Sequence, residues 1–142
     1  MPTPRDHCAE THYGPIDADH RDVVQHIHAL DDLLDKKKLG ELRAAMAALV
    51  GKVVAHFAHE ERLMAECRYN QTAEHKEAHA NFLKDVKRFD AELRAKGLTE
   101  AFRLWAGGRL GNWFRLHIRT HDIALAKTLL QAESTHDRAN SR

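Results

Sequence analysis

The sequence predicts an all-α protein, folded as an up-down-up-down four-helix bundle with a short N-terminal arm and a polar C-terminal tail. Four segments of about 20 to 30 residues carry apolar side chains at helical spacing. The breaks between these segments are short, which favours antiparallel packing of successive helices. No segment alternates apolar and polar residues with the two-residue period of a strand.

The first two predicted helices are bounded by capping signals. The first begins near Asp17, a suitable N-cap residue. It ends at three lysines followed by Gly40, because cations stabilise a helix C-terminus and glycine accepts the left-handed cap conformation. The second helix is predicted from about Glu41 to Ala65.

The third and fourth predicted helices are separated by a short break at Gly97. Asn70 or Thr72 can cap the third helix, which stops at Lys96 and Gly97. The fourth runs from about Thr99 to Leu130.

Length and composition favour one domain without a nucleic-acid or membrane partner. In a chain of 142 residues we expect an arm over 1–16, a bundle over 17–131 and a tail over 132–142. The 22 Lys and Arg residues nearly cancel the 21 Asp and Glu residues. The N-terminus lacks the apolar core of a secretory signal, and no apolar run is long enough to span a membrane. Cys8 and Cys67 are too few for a disulfide framework, so a cytoplasmic location is expected.

The twelve histidines are scattered, and several fall on the apolar faces of the predicted helices. A helix turns by about 100° per residue, and on this basis every predicted helix carries at least one histidine on its apolar face. The histidines predicted to point inward are His20, His56 (with Glu60 beside it), His75, His79, His117 and His121. The others lie on the arm, on the tail or off the apolar faces and are assigned to solvent or flanking positions, as is Glu61: His7, His12, His26, His28, His59 and His136.

A metal centre is the simplest explanation of inward histidines on four helices. One histidine on an apolar face is more often a hydrogen-bonded core residue, but burying this many polar groups is costly unless they are satisfied together. Five or more imidazoles with carboxylates exceed a tetrahedral zinc shell and suit two near-octahedral iron or manganese ions. The sequence lacks HExxH, CxxCH and the pair of Glu-x-x-His tetrads of ferritin-like bundles. Non-covalent haem, needing one or two of these ligands, and a zinc-stabilised or metal-free bundle stay open.

Four segments carry a resemblance to a known family. In chain order they are IDADH (16–20), HFAHEERLM (56–64), HKEAH (75–79) and WFRLHIRTHD (113–122). Over about residues 13–130 the chain closely resembles the hemerythrins, particularly their bacterial single-domain form. The resemblance implies a non-haem di-iron centre with an oxo or hydroxo bridge that binds dioxygen reversibly inside a four-helix bundle.

The resemblance also implies a role for each ligand position. One iron would be held by His75, His79 and His117, and the other by His20 and His56. Glu60 and Asp122 would bridge the two ions, and the iron with two histidines would keep an open position for oxygen.

Spacing and family pattern disagree at one position of the fourth helix. Spacing pairs His117 with His121, four residues on, whereas Asp122 is five residues on and about 140° around an α-helix. The family pattern selects Asp122, and we expect His121 to lie outside the ligand shell or at the surface.

The expected lining of the open iron is apolar, although these residues would serve equally well as ordinary core. Such a pocket admits a small apolar gas and excludes water; its expected members are Val23, Phe57, Trp113, Phe114 and Ile118. The fourth helix also contains Gly107, Gly108 and Gly111. These glycines predict a kink, a thinned pocket wall or a break before the ligand-bearing half.

The leading functional hypothesis is reversible oxygen binding for storage, delivery or buffering, without enzymatic activity. Five neutral imidazoles and two carboxylates give the metal pair less negative charge than carboxylate-rich oxygenase sites have, and so less tendency to cleave the O–O bond. Two alternatives stay open. One is an oxygen or redox sensor that signals to a separate protein, and the other is a di-iron peroxidase or nitric-oxide-handling enzyme.

Overall fold

The computed structural model describes residues 10–140, and the side chains of residues 10–135. Within this range the chain forms four successive helices and no strand, which confirms the predicted four-helix bundle. Helix α1 spans Gly14–Leu33, α2 spans Leu39–Cys67, α3 spans Thr72–Lys96, and α4 covers residues 100–140. No helix in the described part of the chain is both long and apolar enough to cross a membrane.

Helix α1 begins three residues before the predicted start. It starts at Gly14, and Pro15 occupies the first turn, where the missing N–H of proline costs nothing. Asp17 therefore lies inside the helix and does not cap it. Its Oδ1 instead accepts hydrogen bonds from the backbone N and the Oγ1 of Thr11, at 2.9 and 2.7 Å. Residues 14–16 of the predicted arm are thus helical, while residues 1–9 lie outside the described range.

The connection from α1 to α2 also differs from the prediction. Gly40 is the second residue of α2 and not a helix cap. The left-handed residue is Lys37, with φ 54°, which allows the chain to reverse within the five residues between Leu33 and Leu39. A non-glycine residue in this conformation costs about 1–2 kcal/mol, and the lysine side chain remains in solvent. Arg68, with φ 53°, ends α2 in the same conformation.

The boundaries of α3 are partly as expected. Its C-terminus at Lys96 and Gly97 is confirmed, with Gly97 at φ 76°. Its predicted N-cap is wrong: neither Asn70 nor Thr72 occupies the N-cap position, and the Thr72 Oγ1 donates to the Tyr69 carbonyl at 2.6 Å. Thr99 does cap the next helix, since its Oγ1 accepts from the Phe102 N–H at 3.1 Å.

Helix α4 is continuous but contains two π-helical turns. Its parts are Glu100–Leu104, the π-turn Trp105–Arg109, Leu110–His117, the π-turn Ile118–Asp122 and Ile123–Asn140. Gly107 and Gly108 lie in the first π-turn, and Gly111 follows it. The helix continues to Asn140, through the predicted polar tail and beyond the predicted helix end near Leu130. No glycine or proline occurs in this segment to stop it.

The interior consists of two apolar clusters separated by a polar layer. The larger cluster takes buried residues from all four helices, including Leu49, Val86 and Leu110. The smaller one, at the other end, contains Ile16, Met64, Tyr69, Leu125 and Leu129. Each fully buried Leu, Ile or Phe contributes about 1.5–3 kcal/mol to stability. This packing fixes the position of the polar layer between the clusters.

Candidate metal centre

The polar layer consists of seven titratable side chains, and all seven are residues that the sequence analysis proposed as ligands. None is more than 3% exposed: His20, His56, Glu60, His75, His79, His117 and Asp122. Burying so many polar groups inside an apolar bundle is unfavourable unless a common partner satisfies them.

The seven side chains form two groups that share their carboxylates. One group contains Glu60, His75, His79, His117 and Asp122, and the other contains His20, His56, Glu60 and Asp122. Within each group, one ligand atom from every residue lies within 4.8 Å of the others. The arrangement therefore offers two adjacent cation positions with Glu60 and Asp122 between them. The division into three and two histidines is the one that the resemblance implies; the identity of the ligands stays a prediction.

Asp122 links histidines from three helices. Its Oδ2 lies 2.8 Å from the His20 Nε2. Its Oδ1 lies 2.9 Å from the His75 Nε2 and 3.2 Å from the His117 Nε2. One carboxylate oxygen is thus directed to each histidine group.

Glu60 occupies the facing position on α2. Its Oε1 lies 3.1 Å from the His79 Nε2, 3.3 Å from the His56 Nε2 and 3.7 Å from the His75 Nε2. In all five histidines the Nε2 atom therefore points toward one of the two shared carboxylates.

The second π-turn explains why Asp122 and not His121 joins the group. In this turn the Ile123 N–H bonds to the Ile118 carbonyl, five residues back, so that one turn contains an extra residue. Residues five apart then share a face, and His117 and Asp122 both point inward. His121 lies outside both groups, with its ring 5.2 Å from that of His75 and 5.0 Å from that of His117.

The unsatisfied atoms of this layer test whether a metal fits. Among the described residues, the buried side-chain nitrogens and oxygens without a hydrogen bond all belong to the seven: His20 Nδ1, His56 Nε2, Glu60 Oε2, both ring nitrogens of His75 and of His117, and Asp122 Oδ1. Several of these atoms are close to a partner but lack hydrogen-bond geometry. Inward Nε2 and carboxylate oxygens without partners are the donor set that a metal cation satisfies.

In the cluster without metal, the pKa values of the two shared carboxyl groups shift in opposite directions. Burial, and next the Asp122 charge, raise the pKa of Glu60 well above its usual value. Burial opposes ionisation of Asp122, but the close imidazoles of His117, His20 and His75 outweigh it and hold that pKa well below its usual value.

The pKa values of the histidines also shift in opposite directions. Burial disfavours the charged form of His75, but the close carboxylates of Asp122 and Glu60 overcome it and raise its pKa to about 9. Burial and the neighbouring His75 and His117 lower the pKa of His79 to about 2. Burial also lowers the pKa of His56 and of His117. His56, His79 and His117 are thus held neutral, as metal ligands must be, whereas a metal must displace a proton from His75.

Two carboxylates outside the proposed ligand set contact the outer side of the histidines. The Asp19 Oδ2 accepts from the His56 Nδ1 at 3.2 Å and from the His59 Nδ1 at 2.6 Å. The Glu61 Oε2 accepts from the His79 Nδ1 at 3.4 Å. His59 and Glu61, which were assigned to solvent or flanking positions, are 28% and 31% exposed and also take part in these contacts. In the sequence, His59 and Glu61 are adjacent to Glu60, and Asp19 is adjacent to His20. This adjacency to proposed ligands was the feature of the sequence that could have indicated these contacts.

The aromatic residues proposed as a pocket surround both histidine groups. Phe114 borders the two-histidine group, with its ring 5.6 Å from that of His20 and 6.1 Å from that of His56. Phe57 stacks on His79 at 3.8 Å and lies 5.7 Å from His56. Trp113 stacks on His117 at 4.8 Å. Val23 and Ile118 are buried in the same apolar cluster.

Comparisons with known proteins agree with this geometry. The family model described as "Hemerythrin HHE cation binding domain" matches residues 11–129. A protein named bacteriohemerythrin from Stenotrophomonas maltophilia is 30% identical over 115 residues, which cover 78% of this chain and 71% of that protein. A protein named hemerythrin from Themiste dyscrita is 29% identical over 128 residues, covering 87% and 94% of the two chains.

A solved structure shows the same fold. A crystal structure of a leucine-to-phenylalanine mutant superposes with a TM-score of 0.76 and 21% identity, over 91% of this chain and 96% of that chain. The family match extends over most of the described chain and includes all seven buried side chains of the polar layer. The chain belongs to the hemerythrin family.

Proposed function

We propose that the protein binds dioxygen reversibly at a non-haem di-iron centre. The observation that carries this proposal is the pair of buried donor groups that share Glu60 and Asp122. Two ions bound there would be neighbours bridged by two carboxylates. This number of imidazole and carboxylate donors exceeds what a tetrahedral zinc ion takes, and it suits iron better than zinc.

The donor count assigns different roles to the two positions. His75, His79 and His117 with the two shared carboxylates would supply five donors to one ion. His20 and His56 with the same two carboxylates would supply only four donors to the other ion, which would leave it room to bind dioxygen. When bound, a diferrous pair supplies two electrons to dioxygen and recovers them on its release.

The surroundings favour binding over acid–base catalysis. Among the described residues, the fully buried Asp, Glu and His side chains are the seven proposed ligands, so no further carboxyl or imidazole group lies within the polar layer as a general acid or base. Phe114 lies beside the two-histidine group, and Val23 and Ile118 are buried in the adjoining apolar cluster. An apolar lining admits dioxygen and excludes water. The relatives named bacteriohemerythrin and hemerythrin support the same function.

The test combines metal analysis with oxygen titration. The protein is loaded with ferrous iron without oxygen, and the metal content is measured. We expect two irons per chain, and a visible absorption band that appears with one dioxygen per iron pair and disappears when oxygen is removed. Failure to bind iron would contradict the metal centre. Immediate irreversible oxidation, without a reversible band, would contradict oxygen binding and favour a sensor or an enzyme.

A further inference from the structure

The outer nitrogens of the five histidines are not equivalent. Within the part of the chain that the structure describes, His20, His75 and His117 leave Nδ1 without a hydrogen-bond partner. The Nδ1 atoms of His56 and His79 each contact a carboxylate that belongs to neither donor group, namely Asp19 and Glu61. Each metal position therefore has one histidine that is supported by an outer carboxylate.

We propose that Asp19 and Glu61 are positioning residues, one for each metal position, which orient His56 and His79 and strengthen them as ligands. The proposal rests on the di-iron centre proposed above. It assigns Asp19 to the position with two histidines and Glu61 to the position with three. Replacing Asp19 or Glu61 should therefore change metal binding at one position and leave the other position unchanged.

The geometry at His56 supports the proposal most directly. Its ring lies between two carboxylates, with Nδ1 3.2 Å from the Asp19 Oδ2 and Nε2 3.3 Å from the Glu60 Oε1. A hydrogen bond from Nδ1–H to Asp19 leaves the lone pair on Nε2, which faces the cation position. An anionic acceptor on Nδ1–H also increases the basicity of the imidazole as a ligand.

His59 holds Asp19 in place. The His59 Nδ1 donates to the same Oδ2 at 2.6 Å, from the turn of α2 that follows His56. The Asp19 side chain is 32% exposed and would otherwise be free to turn into solvent. Two donors from α2 converging on one oxygen restrict it, so His59 acts through Asp19 on the ligand.

The contact at His79 is similar but looser. The Glu61 Oε2 lies 3.4 Å from the His79 Nδ1, and the Lys76 Nζ lies 3.9 Å from the Glu61 Oε1. The longer distances predict a smaller effect than that of Asp19. Removing Glu61 should nevertheless affect the other metal position.

The chain offers a matched control. Asp22 lies on the same helix and lines the same open surface cavity as Asp19, but it pairs with the Lys52 Nζ at 2.9 Å and contacts no proposed ligand. Asp22→Ala removes a carboxylate from this surface without removing a hydrogen bond to a ligand.

The experiment measures the two metal positions separately. Iron-57 is titrated into metal-free Asp19→Ala, Glu61→Ala and Asp22→Ala without oxygen, and Mössbauer spectra are recorded. We expect Asp19→Ala to weaken one of the two positions by about 10- to 100-fold and to change one iron signal. Glu61→Ala should change the other signal, and Asp22→Ala should leave both unchanged.

Conservative replacement separates orientation from charge. Asp19→Asn retains an acceptor for Nδ1–H but removes the negative charge. It should restore most of the metal affinity, while the reduction potential of the centre stays above that of the wild type. If Asp19→Ala lost affinity only through misfolding, Asp19→Asn would not recover the metal affinity while keeping a changed reduction potential.

A metal-free measurement keeps this inference separate from the proposed function. Nitrogen-15 spectra of the metal-free protein should show His56 as the Nδ1–H tautomer, and Asp19→Ala should shift it toward the Nε2–H form. An unshifted tautomer, or Asp19→Ala and Asp22→Ala giving the same metal affinities and iron signals, would overturn the inference. If the tautomer shifts but iron never binds, the di-iron proposal fails and the hydrogen bond stands.

Discussion

His117 and Asp122 lie five residues apart on one helix, and yet the His117 Nε2 is only 3.2 Å from the Asp122 Oδ1. In a regular α-helix the two side chains would be about 140° apart. The π-turn Ile118–Asp122 removes that separation by including one additional residue in the turn. The local backbone irregularity is therefore what brings the seventh proposed ligand into the cluster.

The π-turn can be tested by changing its length. Deleting the exposed Thr120 should convert the turn to regular α-helix and keep His117 and Asp122 on one face, so we expect two metal ions per chain. Inserting one alanine after Thr120 should rotate Asp122 by about 100° and abolish binding at both positions. Metal analysis of the helical, purified variants provides the measurement. Equal metal contents in the two variants would contradict this role of the turn.

Replacing adjacent residues of α2 tests which face carries the shared carboxylate. Glu60→Ala removes an oxygen donor common to both groups, so the protein should lose both irons while its circular dichroism stays helical. His59→Ala removes only the support of Asp19 and should retain two irons with weaker binding. Iron analysis after gel filtration distinguishes the variants. Retention of both irons by Glu60→Ala would be incompatible with a bridging role.

The stability of the metal-free protein should depend on pH through His75. Its pKa is about 9 in the folded state, above the ordinary 6.5 of the unfolded chain. The resulting stabilisation is fully present below pH 6.5 and is lost as the pH rises through 9, by on the order of 1–3 kcal/mol. Urea unfolding of the metal-free protein and of His75→Gln measures it. The loss between pH 6.5 and 9 should be absent in the variant, and an equal loss in both would rule out His75 as its source.

The apolar lining can be tested with a pair of core substitutions. Phe114→Leu enlarges the space beside His20 and His56, whereas Phe102→Leu makes the same change beside Phe89 and Trp105. Both wild-type rings are buried, so both variants should lose about 1–3 kcal/mol of stability. Only Phe114→Leu should change the rates of oxygen release and irreversible oxidation, measured by stopped flow. Identical oxygen kinetics in the two variants would place the pocket elsewhere.

Most of the fold and six of the seven titratable side chains of the polar layer could be predicted from helical spacing, and the family resemblance added Asp122. Helical spacing on four segments determined which side chains face inward, because one apolar stripe selects one face of each helix. His56 and Glu60 illustrate this, since both are buried while the off-stripe His59 is only partly covered.

The parts that could not be predicted depend on local conformations with weak sequence signals. Lys37 adopts the left-handed conformation that the sequence favours at Gly40, and nothing in residues 132–140 marks a helix that extends beyond the core. Spacing alone preferred His121 over Asp122 because a π-turn has no strong residue signature. The contacts of Asp19 and Glu61 depend on how the helices are placed side by side, which periodicity within one helix does not determine.

The most direct test of the central claim is anomalous diffraction from crystals of the iron-loaded protein. The account predicts two iron peaks no more than about 4 Å apart, both bonded to Glu60 and Asp122. Three histidines should hold one ion, and the other, held by His20 and His56, should have its open position facing Phe114. A single peak, or two ions that do not share both carboxylates, would contradict the account.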